Sequence, residues 1–382
     1  MLSGGGARGA YEVGVLSYVA EHMPGVLDRI RVVTGTSVGA VNGAFLASRG
    51  VTKQAIEDLC DIWRKLEIDA LVSLDHAGMR ELITAGGKRL INRAVKSPPV
   101  GLLRVDGIIK LVAERADWRG LRKVVKSGRL DAVGFAATDI ATGRTTFFVD
   151  HTDRITPRWP RGEDAPFPQL TALGPAHVLA SAAIPILFPP VKVGGRWYID
   201  GGVRYNTPLA PALGLGAEAL LVVSVRAAPE AQLAAPDGEF SGFGQIVGKV
   251  LDSVFLDRIG FDLDRLERIN DMIDAVAKCD PSALATFQTE LGARGRPRYR
   301  HVHCAHVRPS KDLGALASDH LARAKTGGAL SFSRVLKALF QDDQGTTGDA
   351  ASFLLFDGGY AEELIQAGRR DAEATHESLA AL

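Results

Sequence analysis

The sequence predicts an α/β fold, a three-layer sandwich in which helices cover both faces of a mostly parallel central sheet. Met1-Leu2 and Ile30–Thr34 have strand character, and each is followed by a glycine-rich turn and then by a helical pattern. This strand–helix–strand–helix order is typical of parallel strands joined by helical crossovers. The chain has 382 residues, of which 46% are hydrophobic, so it can bury a large core.

The remaining segments add a helical insertion and a helical C-terminal extension to this sheet. Residues 52 to about 127 are mostly helical in pattern and form the predicted insertion over one end of the sheet. We expect one α/β domain over residues 1–226. Residues 227–382 are expected to be a mainly helical region packed on the same domain, with an amphipathic stretch over 243–277. Further strands are predicted at Ala132–Ala137, Thr145–Val149, Arg196–Ile199, Leu220–Val225 and His301–Val307.

Charge and cysteine content exclude several classes of protein. Lys and Arg total 45 against 44 Asp and Glu, and no basic stripe of the kind that binds nucleic acid is present. Three widely separated cysteines do not form a disulfide framework and indicate a reducing compartment. The sequence shows neither an apolar run of about 18 residues nor a signal-peptide pattern. We therefore expect a cytoplasmic protein without a transmembrane segment, whose membrane contact is peripheral.

A glycine-flanked serine turn is the first candidate for chemistry. The segment Gly35–Gly39 reads G-T-S-V-G, of the form G-x-S-x-G, and lies between a predicted strand and a predicted helix. This is the context of a nucleophile elbow, whose strained serine leaves no room for side chains beside it. The helix N-terminus also directs unpaired N–H groups at the site. Ser37 is therefore the candidate nucleophile; the alternative is a serine that caps a helix between two packing glycines.

The N-terminal glycine loop over residues 4–9 fits two interpretations. Its spacing satisfies the dinucleotide-binding fingerprint G-x-G-x-x-G, but that fingerprint needs an acidic residue at the end of the second strand, where this chain runs into Gly35. Successive glycines before a helix also suit an oxyanion hole, because backbone N–H groups converge on one oxygen. We predict that this second interpretation holds, with the N–H groups and the positive charge supplied by Gly4, Gly5, Gly6 and Arg8.

An activated serine needs a base, and an aspartate at a strand end is the candidate. Asp200-Gly201-Gly202 directly follows the predicted strand Arg196–Ile199, and sites of parallel sheets are built at such strand ends. None of the nine histidines lies in this kind of glycine-flanked context. Asp357 also precedes two glycines, but it lies before a predicted helix, where a capping role is favoured. The residues alone leave the choice between Asp200 and Asp357 open.

In this order, these segments resemble the patatin-like phospholipase family. The resemblance covers about residues 1–226, and it settles the choice of base because Asp357 lacks the surrounding blocks. The family has a full strand before its glycine loop, whereas this chain has Met1-Leu2, so either the start lies upstream or the strand is short. The blocks that carry the resemblance are Gly4–Gly9, Gly35–Gly39, Ala180–Pro185, Phe188–Pro190, Asp200–Gly202 and Asn206–Pro208.

The resemblance implies a Ser–Asp dyad without histidine and lipid acyl hydrolysis without a metal or other cofactor. On this basis Ser37 attacks the ester carbonyl of a phospholipid or acylglycerol, and Asp200 accepts its proton and later activates water. The Gly4–Gly6 amides, helped by Arg8, hold the oxyanion. The expected partner is a lipid substrate at a membrane surface, and no nucleic acid.

Other functions stay open on the sequence. A nucleotide-binding protein would use the loop over residues 4–9, and a catalytically silent protein would bind lipid without cleaving it. A hydrolase with a Ser–Asp–His triad is disfavoured, because its elbow normally follows several strands and Ser37 follows two. The run His301–His306 suggests a metal site, but alternate side chains of a strand point to opposite faces, so we predict no metal there.

Overall fold

A computed structural model describes residues 1–74, 101–159, 162, 165–227, 259–294, 299–323 and 348–382. In these ranges the chain forms a central sheet flanked by helices, which confirms the predicted α/β class. None of the helices in these ranges is long and apolar enough to cross a membrane. Two parts of the predicted helical segments lie outside the described residues. They are the middle of the insertion, over residues 75–100, and the first part of the amphipathic stretch, over residues 243–258.

The sheet is parallel around its centre and antiparallel toward one side. The order is β6–β5–β4–β8–β7, and β1 runs parallel to β4. Leu2 bridges in parallel to Gly35 of β1 and Val223 of β9, so it occupies the place predicted for the first strand. A parallel pair of β9 and β10 extends the sheet beyond it, while β2 and β3 pair separately. The strands are β1 (Val32–Thr36), β2 (Ser73–Leu74), β3 (Leu103–Arg104), β4 (Ala132–Asp139), β5 (Thr145–His151), β6 (Phe167–Leu170), β7 (Val191–Val193), β8 (Arg196–Asp200), β9 (Ala219–Val223) and β10 (His303–Val307).

Strand β4 positions the ends of two other strands side by side. All eight of its residues are buried, and the first five pair with β1. The last of these pairs joins Thr36 to Ala136, and the next residue of β4, Ala137, pairs with Asp200 of β8. Because β1 and β8 pair with consecutive stretches of the same strand, the residue after Thr36 and the last residue of β8 are brought to the same place.

Helices flank the sheet and fill the described part of the predicted insertion. The helices are α1 (Gly9–His22), α2 (Pro24–Arg29), α3 (Val38–Ser48), α4 (Lys53–Arg64), α5 (Ile68–Leu71), α6 (Asp106–Arg115), α7 (Trp118–Ser127), α8 (Pro175–Ser181), α9 (Leu209–Gly214), α10 (Ile259–Cys279), α11 (Pro281–Ala293), α12 (Leu313–Arg323), α13 (Gly348–Leu354), α14 (Gly358–Ala374) and α15 (His376–Ala380). Four of them, α4 to α7, lie between residues 52 and 127, as the sequence predicts. The division into domains at residue 226 stays a prediction.

Two predicted strands begin later in the structure than the sequence suggests. The strand expected from Ile30 starts at Val32, because the Ile30 N–H donates to the Leu27 carbonyl and ends helix α2 instead. The strand expected from His301 starts at His303, where pairing with Ala219 begins. In both cases the β-branched or alternating residues begin before the first paired residue, so the sequence pattern overestimates the length of the strand.

The C-terminal region packs on the N-terminal helix through two glycines. An added Cβ at Gly14 of α1 would lie 2.1 Å from the Ile365 carbonyl oxygen, and one at Gly368 of α14 would lie 2.2 Å from the Tyr11 carbonyl oxygen. The two backbones therefore touch, and the Tyr11 hydroxyl donates a buried hydrogen bond of 2.9 Å to Asp371. This contact holds helix α1, and hence the glycine loop that precedes it, against the C-terminal region.

We expect Gly368→Ala to lower the free energy of unfolding by about 1–3 kcal/mol, because the new methyl group meets backbone that cannot move aside. Gly292→Ala in α11 is the matched control: a Cβ there meets nothing within 4 Å, so higher helix propensity is the main effect. Thermal unfolding of both variants checks this. Equal melting temperatures for the two variants would contradict the close helix contact.

Candidate active site

The serine predicted as nucleophile lies in a strained turn between β1 and α3. Ser37 has φ 53° and ψ −124°, a backbone conformation that costs of order 1–3 kcal/mol and occurs where neighbouring structure imposes it. The flanking glycines are required by close packing. A Cβ at Gly35 would lie 2.4 Å from the Gly39 carbonyl oxygen, and one at Gly39 would lie 2.4 Å from the Leu2 carbonyl oxygen.

Hydrogen bonds from outside the turn hold this strained backbone. The Ser37 N–H donates to the Ser181 hydroxyl at 3.0 Å, and that hydroxyl donates to the Ala136 carbonyl at 2.6 Å. Ser181 therefore links the turn to strand β4. The sequence marks Ser181 only as part of a block that resembles the family, and nothing in its local pattern indicates that it supports Ser37.

Asp200 lies fully buried at the end of β8. Its Oδ1 atom accepts a hydrogen bond of 2.7 Å from the Gly202 N–H, so the glycine turn that follows the strand fixes the carboxylate. Its N–H donates to the Ala183 carbonyl at 2.8 Å, and its own carbonyl accepts from the Thr138 hydroxyl at 3.0 Å. A Cβ at Gly201 would lie 2.3 Å from the Ala136 carbonyl oxygen, so the turn passes directly against β4.

The two predicted dyad residues interact in the structure. Burial raises the pKa of Asp200 to about 7, and the Ser37 hydroxyl and the Gly202 N–H oppose this rise by favouring the ionised form. Among the described residues, Oδ2 of Asp200 is buried with no partner at ordinary hydrogen-bonding distance and angle. Catalytic hydrogen bonds often have such loose geometry until a substrate is bound.

The glycine loop lies against the serine. A Cβ at Gly4 would lie 3.0 Å from the Ser37 Cβ, and the Gly4 N–H donates to the Asn206 side-chain oxygen at 3.0 Å. Within the described part of the chain, the N–H groups of Gly5 and Gly6 donate to no protein acceptor. Asn206 therefore occupies one amide of the loop and leaves the next two available.

Arg8 is held by residues far away in the sequence. Its guanidinium is buried, donates from Nε to the Ser352 hydroxyl at 2.8 Å, and lies 4.0 Å from the centre of the Phe353 ring. A Cβ at Gly6 would lie 2.2 Å from the Phe353 carbonyl oxygen. Helix α13 thus packs on the loop, a contact that the sequence does not indicate because neither Ser352 nor Phe353 belongs to a recognisable motif.

An apolar pocket opens beside the serine. Gly6 and Ser37 line it, and most of the other lining residues are aliphatic or aromatic. No histidine lines it among the described residues. The apolar lining comes from α3, from the helices of the insertion, from α8 and the segment after it, and from the C-terminal region. These residues are Val38, Val41, Ala44, Phe45, Leu59, Ile62, Trp63, Leu66, Leu71, Ile108, Leu111, Val112, Ala116, Trp118, Val178, Ala182, Ile184, Phe188 and Phe356.

The second aspartate considered in the sequence, Asp357, caps a helix and does not line this pocket. Its side chain caps helix α14 by accepting hydrogen bonds from the N–H groups of Gly359 and Tyr360. It also pairs with His320 at 3.1 Å, which lowers the pKa of Asp357. Asp357 is therefore a helix-capping residue, as its position before a helical pattern suggests.

Comparison with known proteins identifies the family. The model of the patatin-like phospholipase family matches residues 1–213 of the chain. The chain belongs to the patatin-like phospholipase family. The solved structure of VipD from Legionella pneumophila is a more distant match, with 14% identity and a TM-score of 0.35 over 96% of this chain and 66% of that one.

We expect Asp200→Asn to raise the melting temperature at pH 8. The pKa of Asp200 is about 7 in the folded protein, against about 4 for an aspartate in an unfolded chain. The folded state therefore binds the proton more tightly, and the free energy of unfolding falls as pH rises from about 4 to 7. Asparagine cannot ionise, so the variant should not lose free energy of unfolding from this group as pH rises.

Thermal denaturation at pH 4 and pH 8 tests this expectation. At pH 4 the carboxyl group is largely neutral, so Asp200→Asn and wild type should differ little. The exposed Asp153 provides the control, since Asp153→Asn should change stability little at either pH. A melting temperature of Asp200→Asn at or below that of wild type at pH 8 would show that the carboxylate is not destabilised by burial.

Proposed function

We propose that this protein is a serine lipid acyl hydrolase that cleaves carboxylic ester bonds of phospholipids or acylglycerols. Ser37 is the nucleophile and Asp200 is its only base. The observation that supports this most directly is the contact between the Ser37 hydroxyl and a buried carboxylate whose pKa is about 7. A base is most effective when its pKa lies near the working pH, and an aspartate of ordinary pKa would be too weak.

The proposed reaction has two steps. In the first, Asp200 takes the proton of the Ser37 hydroxyl while the serine oxygen bonds to the ester carbonyl carbon. The tetrahedral intermediate collapses, the alcohol leaves with the proton held by Asp200, and an acyl-enzyme remains on Ser37. In the second, Asp200 takes a proton from water as the water oxygen bonds to the acyl carbon. The second tetrahedral intermediate then collapses, Asp200 returns the proton to the departing Ser37 oxygen, and the fatty acid is released.

The glycine loop supplies the oxyanion hole in this proposal. The Gly5 and Gly6 N–H groups are the donors, because they have no protein acceptor among the described residues and Gly6 lines the pocket beside Ser37. Gly4 positions the loop through its pair with Asn206. Arg8 adds a buried positive charge close to the loop, oriented by Ser352 and Phe353.

The apolar pocket is the proposed site for the acyl chain. A fatty acyl group gains about 0.8 kcal/mol for each methylene removed from water, and the pocket lining is almost entirely hydrocarbon. The proposed location is cytoplasmic with peripheral contact to a membrane, where such substrates are found. The alternative of nucleotide binding at the glycine loop gains no support, because the loop faces this apolar pocket and the side chains of Asn206 and Val225.

We expect Ser37→Ala to abolish labelling by a fluorophosphonate probe, and Asp200→Asn to reduce turnover of a soluble ester by about 10²–10⁴-fold. In wild type, kcat/KM should fall as pH drops below about 7, because protonation of Asp200 removes the base. Asp357→Asn, the matched control at the helix cap, should keep the wild-type pH profile. Near-normal turnover in Asp200→Asn would rule out the dyad.

We expect Val41→Phe to reduce hydrolysis of a long-chain ester selectively. Val41 lies one helical turn after Ser37 and lines the pocket, so a larger ring there occupies space for the acyl chain. The kcat/KM ratio for p-nitrophenyl palmitate against p-nitrophenyl butyrate should fall by about tenfold or more. The control is Val276→Phe on α10, which is exposed and away from the pocket. An unchanged ratio in Val41→Phe would place the acyl chain elsewhere.

A further inference from the structure

Large apolar side chains are exposed at the edge of the sheet that carries Ser37 and Asp200. Strand β4 ends at this edge, and Ile140 directly follows it with 48% of its surface exposed. Trp197, in the β7–β8 hairpin, is 39% exposed although Asp200, three residues later, is fully buried. On the other side of β4, Phe167 is exposed and pairs with Thr146 near the start of β5.

These residues belong to neighbouring segments. The Ile140 N–H donates to the Trp197 carbonyl at 2.9 Å, so the turn after β4 and the β7–β8 hairpin are in contact. The Arg204 guanidinium donates to the Gly143 carbonyl at 2.8 Å and joins a third segment to this turn. The ammonium group of Lys192 lies 5.6 Å from the centre of the Trp197 ring. We call Ile140, Arg144, Lys192, Arg196, Trp197 and Arg204 the hairpin face.

Among the residues that the structure describes, the exposed charged side chains of the hairpin face are basic. Arg144, Lys192, Arg196 and Arg204 are all exposed. Residues 140–149 and 165–199 contain no aspartate or glutamate. The nearest acid on β4, Asp139, is buried and pairs with Arg196 at 2.9 Å. Because Arg196 is paired, Arg144 and Lys192 carry the positive charge of this argument, and Lys192 lies beside the exposed Trp197 ring.

An exposed loop connects this face to the acyl pocket. Ile186 is 70% exposed and has φ 71°, a strained conformation for a β-branched residue. Its neighbours Ile184 and Phe188 line the pocket, and β7 begins five residues later. Backbone bonds to Leu102 and Leu103 hold the loop in this position. The fold therefore maintains an apolar residue in water between the pocket and the hairpin.

We propose that the hairpin face, together with Ile186, docks the protein on an anionic lipid membrane. This rests on the proposed function and specifies how the substrate is reached. A tryptophan enters the interfacial region of a bilayer, while arginine and lysine side chains extend to the lipid phosphates. Each basic residue near an anionic surface contributes about 1 kcal/mol. Docking in this orientation presents the pocket opening to the lipid, so an acyl chain enters without crossing water.

Co-sedimentation with vesicles tests the proposal. The probes are vesicles of phosphatidylcholine alone and of phosphatidylcholine with 30% phosphatidylglycerol. Wild type should bind the anionic vesicles more tightly, and added salt should weaken the binding. Arg144→Glu with Lys192→Glu should weaken binding to anionic vesicles by about tenfold or more. Trp197→Ala and Ile186→Ser should each weaken binding to both kinds of vesicle.

Matched controls come from the C-terminal end of helix α10 and from helix α11. Phe287→Ala in α11 removes an aromatic residue about as exposed as Trp197, and Lys278→Glu at the end of α10 reverses an exposed charge. Both should bind vesicles as wild type does. Equal binding by the hairpin variants and the controls, or no binding of wild type to either vesicle, would overturn the proposal. If the hairpin face bound a protein partner instead of a membrane, wild type would bind neither kind of vesicle.

Turnover of a soluble short-chain ester separates this proposal from the proposed function. The hairpin variants should keep wild-type turnover of p-nitrophenyl butyrate, because none of the altered side chains belongs to the dyad or to the glycine loop. Their activity on lipid in vesicles should fall by the same factor as their binding to those vesicles. Vesicle binding without any esterase activity would contradict the proposed function and leave the docking face intact.

Discussion

Burial of the Asp200 carboxylate beside Ser37 is the constraint on which the rest of the site depends. A carboxylate without its full set of hydrogen bonds is costly to bury, and here one oxygen has no well-aligned partner among the described residues. The surrounding structure must therefore be stable enough to hold it. Strand β4 does this by pairing with β1 and β8 in succession, which sets the positions of both side chains through backbone hydrogen bonds.

The same strand also receives the other supports of the site. Ser181 bridges the Ser37 N–H to β4, and the turn after Asp200 packs against the Ala136 carbonyl. These contacts converge on one residue of one strand. The strained serine and the destabilised carboxylate are thus both supported by β4. Backbone strain and raised pKa values persist in folded proteins where the surrounding structure imposes them, as this strand does here.

Much of the fold and the turn that carries Ser37 could be predicted from the sequence, because both depend on local patterns, whereas the choice of Asp200 over Asp357 rests on the resemblance to the family. Glycines on both sides of Ser37 and after Asp200 mark turns where a Cβ would clash with backbone, and the structure shows those clashes. The burial of Asp200 could not be predicted in the same way, since it depends on the pairing of β8 with the distant strand β4, in which Ala137 pairs with Asp200.

Two other features could not be predicted from the sequence for a related reason: the contacts that hold Arg8, and the part of the pocket lining that comes from the C-terminal region. Ser352, Phe353 and Phe356 belong to no motif, and their importance comes only from where helix α13 and the residues after it reach the N-terminal loop. The exposure and the positive φ of Ile186 could not be predicted from the sequence either. A β-branched residue disfavours this conformation, so neighbouring structure imposes it.

The packing of Phe353 on Gly6 and Arg8 has a consequence for biosynthesis. A nascent chain that has reached residue 330 already contains the serine turn, the aspartate and the glycine loop, but lacks the helix that packs on that loop. Chains fold from the N-terminus as they are synthesised. The loop therefore reaches its final packing only after residues 348–354 have left the ribosome, which delays full assembly of the candidate site until that helix has been synthesised.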